Sequence, residues 1–217
     1  MALASRPQKH TAVGIDVGGM RKGFHAVALI GGRYSERCAT PDVGELASWC
    51  RKVNAAVIAV DAPCHWSTDG RARPAEREIM EKRIFCFSTP TRKRAIEHPK
   101  NHYGWMLRGE ALFQALKPTH TLCSKLPVDV QNCCFETFPH AITWHLTGGN
   151  ADASRKQSQR RGLLEKAGID LAKLTNIDLV DAALCALTAH RFASGDACVS
   201  YGEPSTGLII VPDGPNP

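Results

Sequence analysis

Residues 12–30 read AVGIDVGGMRKGFHAVALI, and the rest of the chain is placed by this stretch. Val13, Ile15 and Val17 alternate with Gly14 and Asp16, the period-two pattern of a strand. Gly18, Gly19 and Gly23 supply a turn that tolerates positive φ, and Phe24 to Ile30 forms a second apolar run. One carboxylate, Asp16, sits where the first strand gives out. A charge inside an apolar strand is costly unless a cation, a turn of backbone N–H groups or a metal ion meets it. The reading of the chain therefore turns on whether other acids converge on Asp16.

Working outward, Gly31 and Gly32 lead into a third run, Arg33 to Ala39, so the first three strands form an antiparallel meander. Asp42 caps a helix over 43–53, with Leu46, Trp49, Cys50 and Val53 on one face. Residues 55–63, AAVIAVDAP, are almost wholly apolar, as in a strand buried on both faces. A helical crossover makes this fourth strand parallel to one in the meander. Asp61 then ends it in the same relative place as Asp16, at the sheet edge where open α/β sheets bind ligands.

Residues 64–132 read as a long helical, basic insertion. Helices are expected over 74–83 and 103–116, with a loop through FSTPTRKR and an irregular stretch over 117–131. A fifth strand over 133–137 carries Glu136, and Pro139 opens a short helix over 139–146. NADASRKQSQRRG reads as a surface loop, followed by a helix over 159–167. Thr175 or Asn176 caps a long helix that ends at Gly195, with a core stripe of Val180, Ala183, Leu184 and Leu187. The tail suggests a small edge hairpin.

At 217 residues the chain suits an N-terminal tail (1–11) and one domain (12–212), long enough to bury a core. No run is long enough to span a membrane, and the N-terminus has no apolar signal-peptide core. Nine cysteines without a CxxC pair suggest free thiols in the cytoplasm rather than a disulfide or zinc framework. The net charge of +6 is concentrated. Residues 71–100 hold nine Lys/Arg against four Glu, a patch suited to a phosphate-bearing partner. Arg77, Arg92, Lys93 and Arg94 are candidate phosphate contacts, joined by a second basic group at Lys156, Arg160 and Arg161.

Asp178 and Asp181, three apart, share a face at the start of the last long helix. With Asp16, Asp61 and Glu136 they form the candidate catalytic set. Mg²⁺ or Mn²⁺ takes oxygen ligands of this kind, and two such ions about 4 Å apart serve phosphodiester cleavage. Asp16, Asp61 and Asp181 are the expected ligands of a two-metal site.

GIDVGGMRKGFHAVAL, AVDAP, FETFP and DLVDAALCALTAHR, in this order, resemble the DUF429 family of predicted nucleases with an RNase H-like fold. The GIDxG start and the DxxDA helix are also similar to RuvC-type Holliday junction resolvases. The resemblance runs from about residue 12 to 212. It implies an α/β fold with a five-stranded mixed sheet of order 3-2-1-4-5 flanked by helices, a helical insertion after strand 4, a C-terminal hairpin and an acidic metal site. It matches Asp16 to the first-strand acid, Asp61 to the fourth-strand acid, Asp178 with Asp181 to the helix pair, and Glu136 to the acid before proline. The chain departs from the family pattern in Asn176-Ile177-Asp178, where a DDxxDA start is common, and in Cys64-His65-Trp66 after AVDAP. His65 is a candidate ligand or proton shuttle, with a packed residue as the alternative.

The expected function is metal-dependent hydrolysis of DNA or RNA. One alternative is a non-catalytic module that binds nucleic acid or a partner. Another is an ATP-using actin-like or sugar-kinase-like phosphotransferase, disfavoured because the chain has room for one such half and no second glycine-rich phosphate loop.

Overall fold

The alternation around Asp16 does build a strand at the centre of the sheet. The computed structural model describes residues 10–126 and 132–214. Most of the expected N-terminal tail and the end of the 117–131 stretch lie outside the described residues. Strands β1 (Thr11–Val17), β2 (Phe24–Ile30) and β3 (Arg33–Thr40) form the antiparallel meander. Asp42 caps α1 (Val43–Lys52) by accepting from the Glu45 N–H, and β4 (Ala55–Asp61) then runs parallel to β1. Helices α2 (Pro74–Glu81), α3 (Arg92–Glu97) and α4 (Gly104–Leu116) follow, then β5 (Thr121–Leu122) and β6 (Cys133–Glu136). After β6 come α5 (Pro139–Leu146), α6 (Lys156–Lys166), α7 (Ile177–Ala193) and the hairpin β7 (Cys198–Glu203) and β8 (Gly207–Pro212).

The sheet order is β3-β2-β1-β4-β6-β8-β7, with β5 pairing β6. Its first five positions are the expected 3-2-1-4-5, with Cys133–Glu136 in fifth place, so the fold is the mixed sheet of the RNase H-like class. The terminal hairpin does more than decorate the edge. It extends the sheet through a parallel pairing of Glu136 with Ile209. No helix among the described residues is long and apolar enough to cross a membrane. All nine cysteines are free thiols.

Three short elements depart from expectation. The loop through FSTPTRKR gives way to α3 because the Thr91 side chain accepts from the Arg94 N–H and caps it. The 117–131 stretch includes the two-residue strand β5. The polar loop before α6 is shorter than expected, because Asp152 accepts from the Ser154 N–H and starts a 3₁₀ turn that leads straight into the helix.

The sheet is buried on both faces. Ala12, Val57, Ala59 and Phe135 pack with α5, α6 and α7, whereas Val13, Ile15, Ile58, Val60 and Cys134 pack with α1 and α4. By the same alternation, Gly14, Asp16 and Asp61 lie on the α7 side, and Glu136 lies on the opposite side. Helix α7 is buried around nearly its whole circumference from Leu179 to Ala189, so its apolar surface is wider than the stripe expected.

Gly14 sets the depth at which α7 docks. A Cβ there would stand 2.0 Å from the Ala186 nitrogen and 2.1 Å from the Ala182 carbonyl oxygen. Backbone cannot yield as a side chain can, so Gly14→Ala is expected to lose about 3 kcal/mol of stability. A fall in the urea midpoint with an unchanged slope is the measurement that checks it. In the turn after Asp16, the glycines divide the work differently from expectation. Gly23 alone takes a positive φ, +73°. Gly18 is needed for space, since a Cβ would lie 2.8 Å from the Gly23 oxygen to which its own N–H donates.

Candidate active site

Asp16 and Asp61 are direct partners in the parallel register of β1 and β4, and they project from the same face. The close approach of α7 at Gly14 brings Asp178 and Asp181 over them. Both helix acids raise the pKa of Asp16, and Asp181 raises that of Asp61. Burial is the larger cause for both. The Asp16 carboxyl is pushed up to about 7, and Asp61 is held well above the carboxylate range. Asp181 is also raised, by burial first, against the pull of Arg160 and Lys156.

Two cations enter this acidic group, and both bond to the helix acids. Lys22, from the glycine turn, donates from Nζ to Asp178 Oδ1 at 2.8 Å. Arg160, buried on α6, donates from Nη1 to Asp181 Oδ1 at 2.5 Å, and its Nε is buried with no partner among the described residues. Among the described residues, no three His, Cys, Asp or Glu side chains stand together as a ready metal cage. Two of the four acids are instead ion-paired, Asp178 with Lys22 and Asp181 with Arg160. Asp16 and Asp61 are bonded by neither cation. Their donor chemistry, all oxygen and short of positive charge, fits a hard divalent ion.

Glu136 belongs to a different network. Arg73, buried, donates from Nη2 and Nη1 to its two oxygens at 2.6 and 2.9 Å and from Nε to Glu76 Oε1 at 2.8 Å. The Cys64 N–H and the Thr89 N–H and hydroxyl complete the shell of the two glutamates. Strand parity explains the separation, because Glu136 is paired in register with Val60 and not with Asp61. His65 sits beside this second network. Its Nδ1 is 3.3 Å from Cys64 Sγ, and burial and Arg73 hold its ring toward the neutral form.

The basic candidates also divide. Arg77, Lys93, Arg94 and Lys156 have exposed side chains. Arg92 bonds Glu110 through Nε at 2.8 Å, and Arg161 donates to the Leu174 carbonyl at 2.9 Å. The residue that reaches the acids is Arg160. Its spacing from Leu163 and Leu164 places it on the buried side of α6, and that spacing was the available signal.

His25 is a further member that sequence reasoning left unassigned. It is the cross-strand partner of Asp16, its Nδ1 is buried with no partner among the described residues, and burial keeps its ring toward the neutral form. A histidine in β2 signals nothing until the register with β1 is known.

This geometry can be set beside that of known proteins. The family model described as "Protein of unknown function (DUF429)" matches residues 14–206. The chain belongs to the DUF429 family. The match spans β1 to the turn of the final hairpin and so includes all five candidate acids. No curated protein matches this DUF429 chain. Among solved structures, it is similar to one titled "Thermus thermophilus RuvC structure", at 15% identity and a TM-score of 0.44, covering 85% of this chain and 96% of that one.

Proposed function

We propose that this DUF429 protein is a divalent-metal-dependent nuclease that hydrolyses phosphodiester bonds in nucleic acid. The observation that carries the reading is the registered pair Asp16 and Asp61 at the ends of adjacent parallel strands, under Asp181, with all three charges opposed by burial. Asp16 and Asp61 would hold Mg²⁺ or Mn²⁺. Such an ion supplies Lewis-acid activation of water and of a phosphate oxygen.

The chain's own groups perform the other tasks. Arg160 and Lys22 place fixed positive charge at Asp181 and Asp178, where a second ion was expected, and both cations suit phosphate oxygens. The neutral His25 ring, whose Nδ1 has no partner among the described residues, lies beside Asp16 and would accept a proton. Arg77, Lys93, Arg94 and Lys156 would hold backbone phosphates without reading sequence. Glu136 acts at a remove, by fixing Arg73 and through it the chain that follows Asp61.

The test is cleavage of labelled single-stranded, duplex and branched DNA and RNA in Mg²⁺ or Mn²⁺. Asp16→Asn and Asp61→Asn are each expected to lower the rate by on the order of 10²-fold or more. Equal cleavage by the variants and the wild type would end the reading. Salt-sensitive binding without turnover in either metal would instead favour a non-catalytic nucleic-acid module, a reading that suits the internal ion pairing of Asp178 and Asp181.

A further inference from the structure

Between α2 and α3 the side chains of Ile84-Phe85-Cys86-Phe87 alternate. Ile84 and Cys86 are buried at 0% and 9% exposure, whereas Phe85 and Phe87 are 73% and 57% exposed. Two large aromatic rings held out in water by anchored neighbours are costly unless something covers them. The rings are also ordered relative to one another. Phe85 and Phe87 meet edge to face at 6.1 Å, and Phe87 meets Trp105 of α4 in the same way at 6.4 Å.

This ladder ends at a small cleft of about 50 Å³, walled by Phe87, Trp105, Met106 and Phe138, with Asp61 on its lining. The cleft therefore reaches one member of the registered acid pair. The polar groups at its base are already used. Three nitrogens of Arg73 bond Glu76 and Glu136, and Thr89 takes the remaining reach of Glu76. Such a cleft offers aromatic surface but almost no free hydrogen-bonding edge. Exposed cations stand on either side of it in the chain, Lys82 and Arg83 before and Lys93 and Arg94 after.

We infer that the aromatic ladder at the mouth of this cleft is a stacking subsite for one unpaired base of a single-stranded nucleic acid, with Phe87 and Trp105 as the platform and the adjoining phosphate led past Asp61. The inference rests on the proposed nuclease reading and narrows its substrate to strands with an unpaired nucleotide at the site. The exposed cations that flank the ladder in the chain, Lys82, Arg83, Lys93 and Arg94, favour a polyanion over an apolar peptide or a second copy of this chain. Because Arg73, Glu76, Glu136 and Thr89 are spent on each other, stacking carries the binding, and stacking tolerates any base.

The test is fluorescence anisotropy with fluorescein-labelled oligo-dT, oligo-rU, a mixed-sequence single strand and a duplex of the same length, in EDTA so that no turnover intervenes. Single strands should bind more tightly than the duplex and with little dependence on sequence. Phe87→Ala should weaken single-strand binding roughly 10-fold or more, Phe87→Leu should weaken it similarly, and Phe87→Tyr should restore it. Phe87 is exposed, so these variants keep the fold, which circular dichroism verifies. Unchanged affinity in Phe87→Ala, equal binding of duplex and single strand, or loss of a dimer in Phe87→Ala by sedimentation would each overturn the subsite. The two readings fail separately. Phe87-dependent binding by a protein that cleaves nothing would leave the subsite standing without the nuclease, and cleavage indifferent to Phe87 would do the reverse.

Discussion

Asp16→Asn is expected to make the metal-free protein more stable above pH 7, although the same change removes the proposed activity. The folded-state pKa of Asp16 is raised from 3.8 to about 7 by burial and then by Asp181 and Asp178. Between about pH 4 and pH 7 the native protein therefore keeps a proton that the unfolded chain releases. The unfolded state binds fewer protons in that window, so stability falls as pH rises through it. The loss is complete above pH 7 and absent below pH 4. A tenfold change in proton affinity is worth about 1.4 kcal/mol, and coupling to Asp61 and Asp181 shares the cost, so the advantage of the variant at pH 8 should be about 2–4 kcal/mol. In a chain of this length that is a rise of roughly 4–16 °C in melting temperature. At pH 4 the two proteins should melt together. Mn²⁺ should raise the melting temperature of the wild type at pH 8 and leave the variant little changed, because the ion takes the place of the proton. A variant less stable than the wild type at pH 8 would show that Asp16 is held by a partner instead of strained by its neighbours.

Arg73→Met should be among the most damaging single changes away from the acid pair. It leaves Glu136 and Glu76 facing one another's surroundings with no cation, at side-chain exposures of 6% and 2%. Removing one member of a buried ion pair typically costs about 3–5 kcal/mol, and here one guanidinium serves two carboxylates. Urea denaturation should show the loss. Adding Glu136→Gln and Glu76→Gln to Arg73→Met should recover much of it, since the unpaired charges then disappear. Failure of that triple variant to recover would mean that Arg73 acts through packing more than through charge. The network ties α2 to β6 and to Cys64, three residues beyond Asp61, so the intact wild-type arrangement also fixes the chain on one side of the acid pair.

Much of the architecture was legible because it depends on local pattern. The alternation in residues 12–17, the apolar run before Asp61, the Asp42 cap and the small-residue helix after Asn176 each declare their own element. Short elements were not legible, because α3 rests on one Thr91 cap and β5 on pairing with a distant strand. Of the candidate acids, Asp16 and Asp61 are in register and Asp178 and Asp181 lie near enough to act on Asp16 electrostatically, each paired with a cation, since strand ends and a helix start already carried their direction. Glu136 could not be separated from them by position along the strand. Its parity relative to Asp61 depends on a register that only the folded sheet defines.

The sequence by itself therefore determined the longer elements, their order and the presence of acids at the end of strand 1, the end of strand 4 and the start of the last helix. Tertiary structure decided which charges meet. Lys22 and Arg160 reach Asp178 and Asp181 across 156 and 21 residues, His25 joins Asp16 across a hairpin, and Phe87, between α2 and α3, meets Trp105 of α4. Local propensity acts over a few residues, whereas charge, register and close packing act through space. The stretch 12–30 could declare a strand and a turn, but what surrounds Asp16 is set by the depth to which Gly14 admits α7.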